Sequence, residues 1–340
     1  MPASTFTLHA SFSPILSLYN GILLDQYGVI HNGSQALFGA VECIDEMKSR
    51  GKRMCILSNT SSPANAALQR LPKYGLAADA FNGIVTSGEE AAKYVKEHHQ
   101  NSKALWLTWR TSDKQQPAKF LEHCGNIEIA SSVDDADFIL LHGSECWRKC
   151  GAASQVDEVD LNFMYNEDYS IVDELLEKSL SKSLPLICAN PDLIVNLPGG
   201  IEANMPGKIA SRYERMGGRV TQFGKPHPSH FLACLDELGV DPDACVHVGD
   251  SLEHDVAGAN AARIDSVFVL GGIHARELGL QPTRPDALGG VVLSDDGDKE
   301  PGSRTVISKR ELEDRLSAFF EERGIWPTHV VPSLALSNEF

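Results

Sequence analysis

The chain has 340 residues, a formal net charge of −16 and 42% hydrophobic residues. This length allows two domains with buried cores of their own, and the hydrophobic fraction excludes wholesale disorder. The acidic charge argues against broad binding to nucleic acid or to an anionic membrane surface, because both need a basic face.

The N-terminal region has no lysine or arginine before Lys48, and no apolar run approaches the roughly 20 residues that span a bilayer. Such a start fits neither a signal peptide nor a mitochondrial presequence. The eight cysteines are scattered, several within apolar runs, which is typical of buried free thiols in a reducing compartment. We therefore expect a cytoplasmic protein.

A zinc site is the other interpretation of the cysteines. His142, Cys146 and Cys150 follow one another at a spacing that could place three ligands on one helical face. Gly143 and the lack of a second cluster weaken this interpretation. Structural thiols are the favoured one.

Apolar, strand-type runs alternate with helical patterns along the chain. This alternation is the signature of α/β layers around a mostly parallel sheet, which binds its ligands beyond the carboxyl ends of the strands. The predicted strands are Ile22–Asp25, Arg53–Leu57, Gly83–Thr86, Ala104–Thr108, Phe138–His142, Leu186–Ala189, Cys245–Val248 and Ser266–Leu270.

Capping residues mark the starts of two helices in the first third of the chain. Ser62 can cap a helix over Pro63–Lys73, since proline suits the first helical position. Ser87 and Glu90 form a capping box for a helix that runs to about His98.

A third capping box, Ser308 with Glu311, begins a helix near the C-terminus, and Gly324 ends it. Its apolar residues recur at helical spacing and form a single stripe. We expect that stripe to pack on the main sheet. Its members are Leu312, Leu316 and Phe319.

The middle of the chain is long enough to be a separate domain with its own strands and helices. We predict a core domain over 1–87 and 223–340, with an α/β domain inserted at 88–222. Residues 145–168 and 293–304 are polar, acidic or glycine-containing, so we expect exposed loops there.

Polar groups follow several of the predicted strands. They are Asp25, the run Ser58, Asn59 and Thr60, the lysine Lys225, and the carboxylates Asp250, Glu253 and Asp255. Backbone N–H groups and hydroxyls at a helix start favour phosphate. Three carboxylates at one strand edge would repel one another unless a cation lay among them, and hard oxygen ligands suit Mg²⁺. The lysine would then offset charge on a bound phosphoryl group.

Each of these residues taken alone is more often a turn or a helix cap than a member of a site. The ordered set, with Asp25 in a DxxG loop, Ser58, Lys225, and GDxxxxD at Asp250 and Asp255, resembles the haloacid dehalogenase (HAD) superfamily. The position of the insert, 188-CANPDLIVNLPGG-200 and the GKPHP stretch resemble its class IIA branch, which contains nitrophenyl phosphatase-like, sugar phosphatase-like and pyridoxal phosphatase-like proteins. The similarity covers about residues 20 to 285.

The resemblance implies a Rossmann-like, doubly wound core with a mobile cap domain, and a phosphatase mechanism. Asp25 would be the nucleophile that becomes an aspartyl-phosphate. Mg²⁺ would take oxygens from Asp25, Asp250 and the backbone carbonyl of Tyr27, with Asp255 fixing metal-bound water.

The resemblance also implies how substrate is held. Ser58 and Lys225 would bind the phosphoryl oxygens with help from Asn59 and Thr60, and Tyr27 would also contact the substrate. Asn190 and Asp192 match the NPD-type motif of the family, so they are the substrate-binding candidates of the cap domain. The substrate would be a small phosphorylated metabolite, and the partner a second copy bound through the cap domain.

Tyr27 departs from the family pattern. The phosphatases of the superfamily have a second aspartate at this position, which protonates the leaving group and then activates water. Its loss removes general acid–base help that is typically worth about 10²–10⁴-fold, so leaving groups that depart as stable anions would suffer least. His31 is a weak replacement acid, more plausible as a loop residue, and Glu253 is a weaker one.

Three functions therefore stay open. The preferred one is a Mg²⁺-dependent phosphatase. The second is a phospholigand-binding or regulatory protein with little turnover. The third is a metal-independent hydrolase that attacks carbon, because a tyrosine at this position also resembles the haloacid dehalogenases themselves. The retained Asp250 and Asp255 favour phosphate chemistry.

Overall fold

The computed structural model of the protein describes residues 5–110, 117–151, 156–197, 201–280, 292–294 and 306–337. Its strands are β1 (Thr7–Leu8), β2 (Gly21–Leu24), β3 (Arg53–Ser58), β4 (Gly83–Thr86), β5 (Lys103–Thr108), β6 (Glu128–Ile129), β7 (Phe138–Leu141), β8 (Cys146–Cys150), β9 (Val156–Asp160), β10 (Leu186–Cys188), β11 (Ile194–Leu197), β12 (Ile201–Asn204), β13 (Val220–Gln222), β14 (Cys245–Gly249), β15 (Asp265–Val269), β16 (Val292–Ser294), β17 (Val306–Ser308) and β18 (His329–Val331).

Helices connect most of these strands. They are α1 (Ala40–Ser49), α2 (Ala64–Leu68), α3 (Ser87–His98), α4 (Pro117–His123), α5 (Ser170–Ser181), α6 (Pro206–Arg215), α7 (Pro228–Leu238), α8 (Ala257–Ala262) and α9 (Lys309–Arg323). One π-helical segment, Leu252–Val256, precedes α8.

The chain forms two compact units. The larger one comprises Met1–Leu57, Arg70–Ile84 and Lys225–Phe340, and the second comprises Ser58–Gln69 and Val85–Gly224. The segment 58–69, which we expected in the core domain, groups with the second unit. Local hydrogen bonds account for this: the indole of Trp109 donates to Ser61 at 2.8 Å, and the Thr86 hydroxyl donates to the Ser62 carbonyl at 2.8 Å.

The larger unit is built on a sheet in the order β1-β18-β15-β14-β2-β3-β4, and its adjoining pairs from β1 to β3 are parallel. Strands β2 and β14 lie at its centre and are buried along their whole length, which explains their continuous apolar sequence. From β2 the chain continues to β3, whereas from β14 it continues to β15 on the other side. The carboxyl ends of β2 and β14 are therefore a topological switch point, where sheets of this kind bind ligands.

The C-terminal helix α9 matches its prediction. The Ser308 hydroxyl accepts from the Glu311 amide at 3.2 Å, and the helix ends at Gly324, whose φ is +64°. Its apolar stripe packs against the main sheet as expected, in a cluster that includes Leu312, Leu316, Phe319, Phe268, Leu270 and Val330.

The second unit has its own sheet in the order β13-β10-β7-β5-β8-β9, with β6 beside β5. The prediction of an exposed loop over 145–168 is wrong, because β8 and β9 form an antiparallel pair there. Arg148 and Glu158 lie opposite each other in that pair and form a 2.6 Å ion pair, and the Arg148 guanidinium lies over the Trp106 ring. An arginine thus occupies a buried position of β8 where an apolar residue is expected, so the sequence lacks the apolar–polar alternation that indicates a strand.

The zinc interpretation is wrong as well, because it assumed a helix where the structure has strand β8. Cys146 and Cys150 lie on strand β8 rather than on a helix. The His142 ring stacks on Phe120 with 3.9 Å between ring centroids, and its nitrogens bond to protein groups. All eight cysteines are free thiols, and all except Cys150 are buried.

Two helix starts differ from their predictions. Pro63 occupies the N-cap of α2 without a side-chain cap, so Ser62 is not the cap, and the helix has only five residues. A 3₁₀ turn at Leu71–Tyr74 follows, because Pro72 cannot continue an α-helix. Thr86, one residue before the predicted Ser87, caps α3 and accepts from the Glu89 amide.

The predicted loop at 293–304 lies outside the described residues except for its first two residues, which end β16. Across the described parts of the chain, the helices are too short or too polar for any of them to traverse a lipid bilayer.

Candidate active site

Asp25, Lys225 and Asp255 meet at the carboxyl ends of the two central strands. Asp25 directly follows β2, and its amide continues the ladder by donating to Val248 of β14 at 2.9 Å. The Lys225 Nζ lies 2.7 Å from the Oδ1 of Asp25 and 2.7 Å from the Oδ1 of Asp255. The lysine side chain is only 3% exposed, so these contacts form in a dry environment.

Asp250 follows β14 and is enclosed by backbone. Its Oδ2 accepts from the Ile273 amide at 2.8 Å. A Cβ on Gly28 would lie 2.0 Å from this Oδ2, and one on Gly272 would lie 2.1 Å from it. Gly28 also has a φ of +86°, which other residues rarely adopt. Both positions therefore require glycine for the carboxylate to lie where it does.

Asp255 is saturated with hydrogen bonds. Its Oδ2 accepts from the amides of Asp250 at 3.1 Å and Ser251 at 3.0 Å. Its Oδ1 accepts from Lys225 and from the Nε2 of His247 at 2.8 Å. The carboxylate ties together the turn after β14, the lysine and the strand itself.

The electrostatics of the cluster follow from burial of several charges at short range. Burial raises the pKa of Asp25, and the positive charge of Lys225 opposes that rise. Burial, together with the charges of Asp25 and Asp255, raises the pKa of Asp250 well above its usual range. Burial alone would raise the pKa of Asp255, but Lys225 and His247 outweigh it, and the net effect lowers that pKa.

For Lys225, burial and the neighbouring charges also act on the pKa in opposite directions. Burial by itself would lower the pKa of its ammonium group, whereas the two carboxylates beside it raise that pKa more strongly. The lysine therefore stays protonated, and the cluster has three buried carboxylates against one cation.

This excess of negative charge fits a divalent cation. Asp25, Asp250 and Asp255 each offer a carboxylate oxygen, and these oxygens lie within 4.8 Å of one another. An all-oxygen donor set suits Mg²⁺, and a bound cation would relieve the repulsion that raises the pKa of Asp250. Asp25 and Asp250 would be the better ligands for such an ion, since both Asp255 oxygens already accept two hydrogen bonds each.

Tyr27 lies in the tight loop after Asp25, where the Gly28 amide donates to the His31 carbonyl at 3.0 Å. Burial raises the pKa of the Tyr27 phenol to about 12, with further contributions from Asp250 and Tyr74. A phenol with such a pKa keeps its proton at neutral pH and is a poor general acid there.

His31 is a structural residue of this loop. Its Nδ1 accepts from the Gly33 amide at 3.1 Å, which leaves the Nε2 proton to be donated to the Gln26 side-chain oxygen at 3.3 Å. The ring packs against Tyr74 at a tilt of 30°, with 4.2 Å between ring centroids. Burial lowers the His31 pKa to about 4, so the imidazole is neutral and does not replace the missing acid.

Glu253 also fails as a replacement acid. It lies beside the His274 ring at 3.1 Å and the Arg323 guanidinium at 3.5 Å. The hydrogen bond from His274 is the main cause that lowers the Glu253 pKa to about 2. A carboxylate that stays ionised has no proton to give at neutral pH.

The remaining predicted site residues belong to the second unit. There the Asn59 amide donates to the Asp192 carboxylate at 2.8 Å, and the Asn190 side chain accepts from the Asp192 amide at 3.0 Å. The Thr60 amide donates to the Ser58 hydroxyl at 3.3 Å. The structure thus brings the serine motif and the NPD-type motif into one hydrogen-bonded group within this unit.

His247 is the residue of the cluster that the sequence did not point to. It lies in the apolar run 245-CVHVG-249 and is completely buried. A single titratable residue in the middle of a buried strand was the available signal, because such a group needs a partner.

Comparisons with known proteins show which families and structures the chain resembles. The family description "Haloacid dehalogenase-like hydrolase" matches residues 22–120, and "HAD-hydrolase-like" matches residues 222–291. The sugar-phosphatase AraL of Bacillus subtilis is 25% identical over 253 residues, covering 74% of this chain and 83% of that protein. The glycerol-3-phosphate phosphatase of Mus musculus is 24% identical over 274 residues, covering 77% and 82%.

Solved structures show the same fold. A possible sugar phosphatase of the HAD superfamily from Cytophaga hutchinsonii has a TM-score of 0.68 at 19% identity, covering 97% of this chain and 99% of that one. The p-nitrophenyl phosphatase of Archaeoglobus fulgidus has a TM-score of 0.60 at 22% identity, covering 93% and 97%. The two matched segments contain Asp25, Ser58, Lys225, Asp250 and Asp255, and the first of them extends into the inserted domain as far as residue 120. Over these two segments the chain is similar to the haloacid dehalogenase-like hydrolases.

Proposed function

We propose that the protein is a Mg²⁺-dependent phosphatase that acts on a small phosphorylated metabolite. The observation that carries the proposal is the buried cluster in which Lys225 bridges Asp25 and Asp255 beside Asp250. The names of the relatives, a sugar-phosphatase and a glycerol-3-phosphate phosphatase, support the same class of substrate.

Asp25 is the nucleophile of the proposed reaction. One of its carboxylate oxygens attacks phosphorus, the bond from phosphorus to the leaving oxygen breaks, and the leaving group takes the electron pair. Water then attacks the phosphoryl group on Asp25, which releases inorganic phosphate and restores the carboxylate. Lys225, which already contacts Asp25, offsets the charge on the phosphoryl oxygens.

Asp25, Asp250 and the Tyr27 carbonyl would hold Mg²⁺ in this scheme, and the ion would supply positive charge that reduces repulsion between the nucleophile and the phosphoryl oxygens. Asp255 keeps Lys225 and the Asp250 backbone in place through its hydrogen bonds. Ser58, Asn59 and Thr60 complete the binding of the phosphoryl group. The inserted domain, 88–222, selects the substrate with Asn190 and Asp192.

Tyr27 restricts the substrates that turn over well. The phenol keeps its proton, His31 is neutral and Glu253 is ionised, so none of these three protonates a leaving group at neutral pH. Aryl phosphates and acyl phosphates need no such proton, because their leaving groups are stable anions. We expect them to be hydrolysed faster than alkyl phosphates.

A panel of phosphate esters and acyl phosphates, assayed with Mg²⁺ and with EDTA, tests the proposal. We expect phosphate release that depends on Mg²⁺ and is abolished in Asp25→Asn, which keeps the shape of the side chain but not the nucleophile. Phosphate release in EDTA, or full activity of Asp25→Asn, would contradict it.

The absence of an acid at Tyr27 favours a second candidate, a phospholigand-binding protein with little turnover. Binding of a phosphate ester without phosphate release would support that function. Halide release from an added haloacid in EDTA would instead support a metal-independent hydrolase that attacks carbon. The panel extended by this substrate therefore separates all three functions.

A further inference from the structure

We propose that His247 is a positioning residue for the reaction: through Asp255 it holds Lys225 against Asp25. The kinetic part of this inference rests on the proposed phosphatase function, whereas the geometric part does not.

His247 lies where an apolar residue would be expected. It stands between Val246 and Val248 in the central strand β14 and is 0% exposed. Phe231 packs against its ring, edge to face, with 5.0 Å between ring centroids. A buried polar ring of this kind is retained only where its hydrogen bonding is useful or satisfied.

The His247 hydrogen bond has a defined direction. Its Nε2 lies 2.8 Å from the Oδ1 of Asp255. Hydrogen bonding to His247 and Lys225 keeps Asp255 ionised, and an ionised carboxylate oxygen only accepts. The proton is therefore on Nε2, and the histidine is the donor.

His247 and Lys225 share the same acceptor atom. The Oδ1 of Asp255 receives both side chains, while its Oδ2 receives the amides of Asp250 and Ser251. With four donors, the carboxylate has one orientation. The ammonium group of Lys225 then lies at equal distances from two carboxylates, 2.7 Å from Asp255 and 2.7 Å from Asp25.

Removal of the histidine donor would change the two contacts that Lys225 makes with Asp255 and Asp25. The Oδ1 of Asp255 would keep its negative charge but lose one of the two donors that offset it. The ammonium group of Lys225 is the remaining donor at that atom, so it would move toward Asp255 and away from Asp25. The nucleophile and the phosphoryl group would lose their nearest positive charge.

Two substitutions of His247 distinguish the effect of losing the hydrogen-bond donor from the effect of changing the side-chain volume. Gln places an amide nitrogen near the position of the imidazole Nε2, whereas Met has similar length and no donor. We expect His247→Met to lower kcat by about 10–100-fold with little change in KM, a range typical for residues that orient site groups. We expect His247→Gln to recover most of that loss.

Val246→Ala is the matched control in the same strand. It removes buried volume without touching the cluster, so it should lower the melting temperature and leave kcat unchanged. If His247→Met acted only through stability, it would behave like this control. Equal kcat values for the Met and Gln variants would overturn the inference.

Crystal structures of the two His247 variants give a readout that does not depend on activity. We expect the contact between Lys225 Nζ and Asp25 to remain at 2.7 Å in the Gln variant, as in the parent protein, and to lengthen in the Met variant. An unchanged contact in the Met variant would overturn the inference. Lack of phosphatase activity in the parent protein would refute the proposed function, while these structures would still decide the positioning role.

Discussion

Gly28 lies directly against the carboxylate of Asp250, so that a Cβ on it would stand 2.0 Å from Oδ2. Gly75 has a similar backbone, with φ of +77° against +86°, but a Cβ there would meet nothing within 4 Å. Gly28→Ala should therefore abolish most Mg²⁺-dependent activity by displacing Asp250. Gly75→Ala should lower stability by about 1 kcal/mol through backbone strain alone and leave activity intact.

Activity assays and thermal unfolding of the two glycine variants check this difference. Equal activity of Gly28→Ala and Gly75→Ala would show that the close approach to Asp250 is unimportant.

The metal should stabilise the protein by offsetting the buried carboxylates. Asp250→Asn removes one of these charges, and its side-chain oxygen can still accept from the Ile273 amide. Without Mg²⁺ we expect this variant to be more stable than the parent protein at neutral pH, because burial and the neighbouring carboxylates raise the pKa of Asp250 and so disfavour its charged form in the folded state. Added Mg²⁺ should raise the melting temperature of the parent protein but not of the variant.

Asp79→Asn is the control for this experiment, because Asp79 lies on the surface of the same unit, 79% exposed. It should change the free energy of unfolding by less than about 0.5 kcal/mol and keep the response to Mg²⁺. A loss of stability in metal-free Asp250→Asn would argue against repulsion within the cluster.

Tyr27→Asp should restore an acid to the position where the family carries one. We expect kcat to rise by roughly 10²-fold for alkyl phosphates, whose leaving groups need a proton, and much less for aryl phosphates. Tyr27→Asn has nearly the same shape without the acid and should show no such gain. If both variants gained equally, relief of crowding by the phenol would be the explanation instead.

His142 should make the second unit less stable in acid. Its Nε2 lies 3.2 Å from the Ser61 carbonyl and its Nδ1 lies 2.8 Å from the Thr108 hydroxyl. Burial lowers the His142 pKa to about 3, so below about 6.5 the unfolded chain takes up a proton that the folded chain does not. The stability is complete above that pH and falls as the pH drops toward 3, by up to about 1.4 kcal/mol per unit.

His142→Gln tests this dependence, because the amide nitrogen can donate to Ser61 but does not titrate. Denaturant unfolding from pH 7 to pH 4, followed by tryptophan fluorescence, should show a shallower loss of stability in the variant. Trp109 lies in the same unit and bonds to Ser61, so it is a suitable probe. Parallel curves for the two proteins would contradict the prediction.

The core sheet and the cluster around Asp25 are predictable from the sequence because their signals are local. Strand β2 is a continuous apolar run that ends directly at Asp25, and β14 ends at Asp250 in the same way. Parallel strands end at one edge, so these carboxylates had to lie near each other. The roles assigned to them remain predictions.

Other features were not predictable because they depend on partners distant in sequence. Strand β8 has no alternating apolar pattern, since its inward Arg148 is balanced by Glu158 and Trp106. Likewise, the composition around His247 indicates only a buried strand, and its role follows from where the turn at Asp255 folds back onto it.

The order of strands in the core sheet also has a consequence for synthesis of the protein. Strand β2 ends at Leu24, but its neighbour β14 begins only at Cys245, and the edge pair β1 and β18 needs residues up to Val331. Strand β2 therefore leaves the ribosome long before β14 exists, and the edge of β2 that pairs with β14 stays unpaired until then. Pairings so distant in sequence slow folding and expose the nascent chain to aggregation, so chaperone binding to β2 during translation is expected.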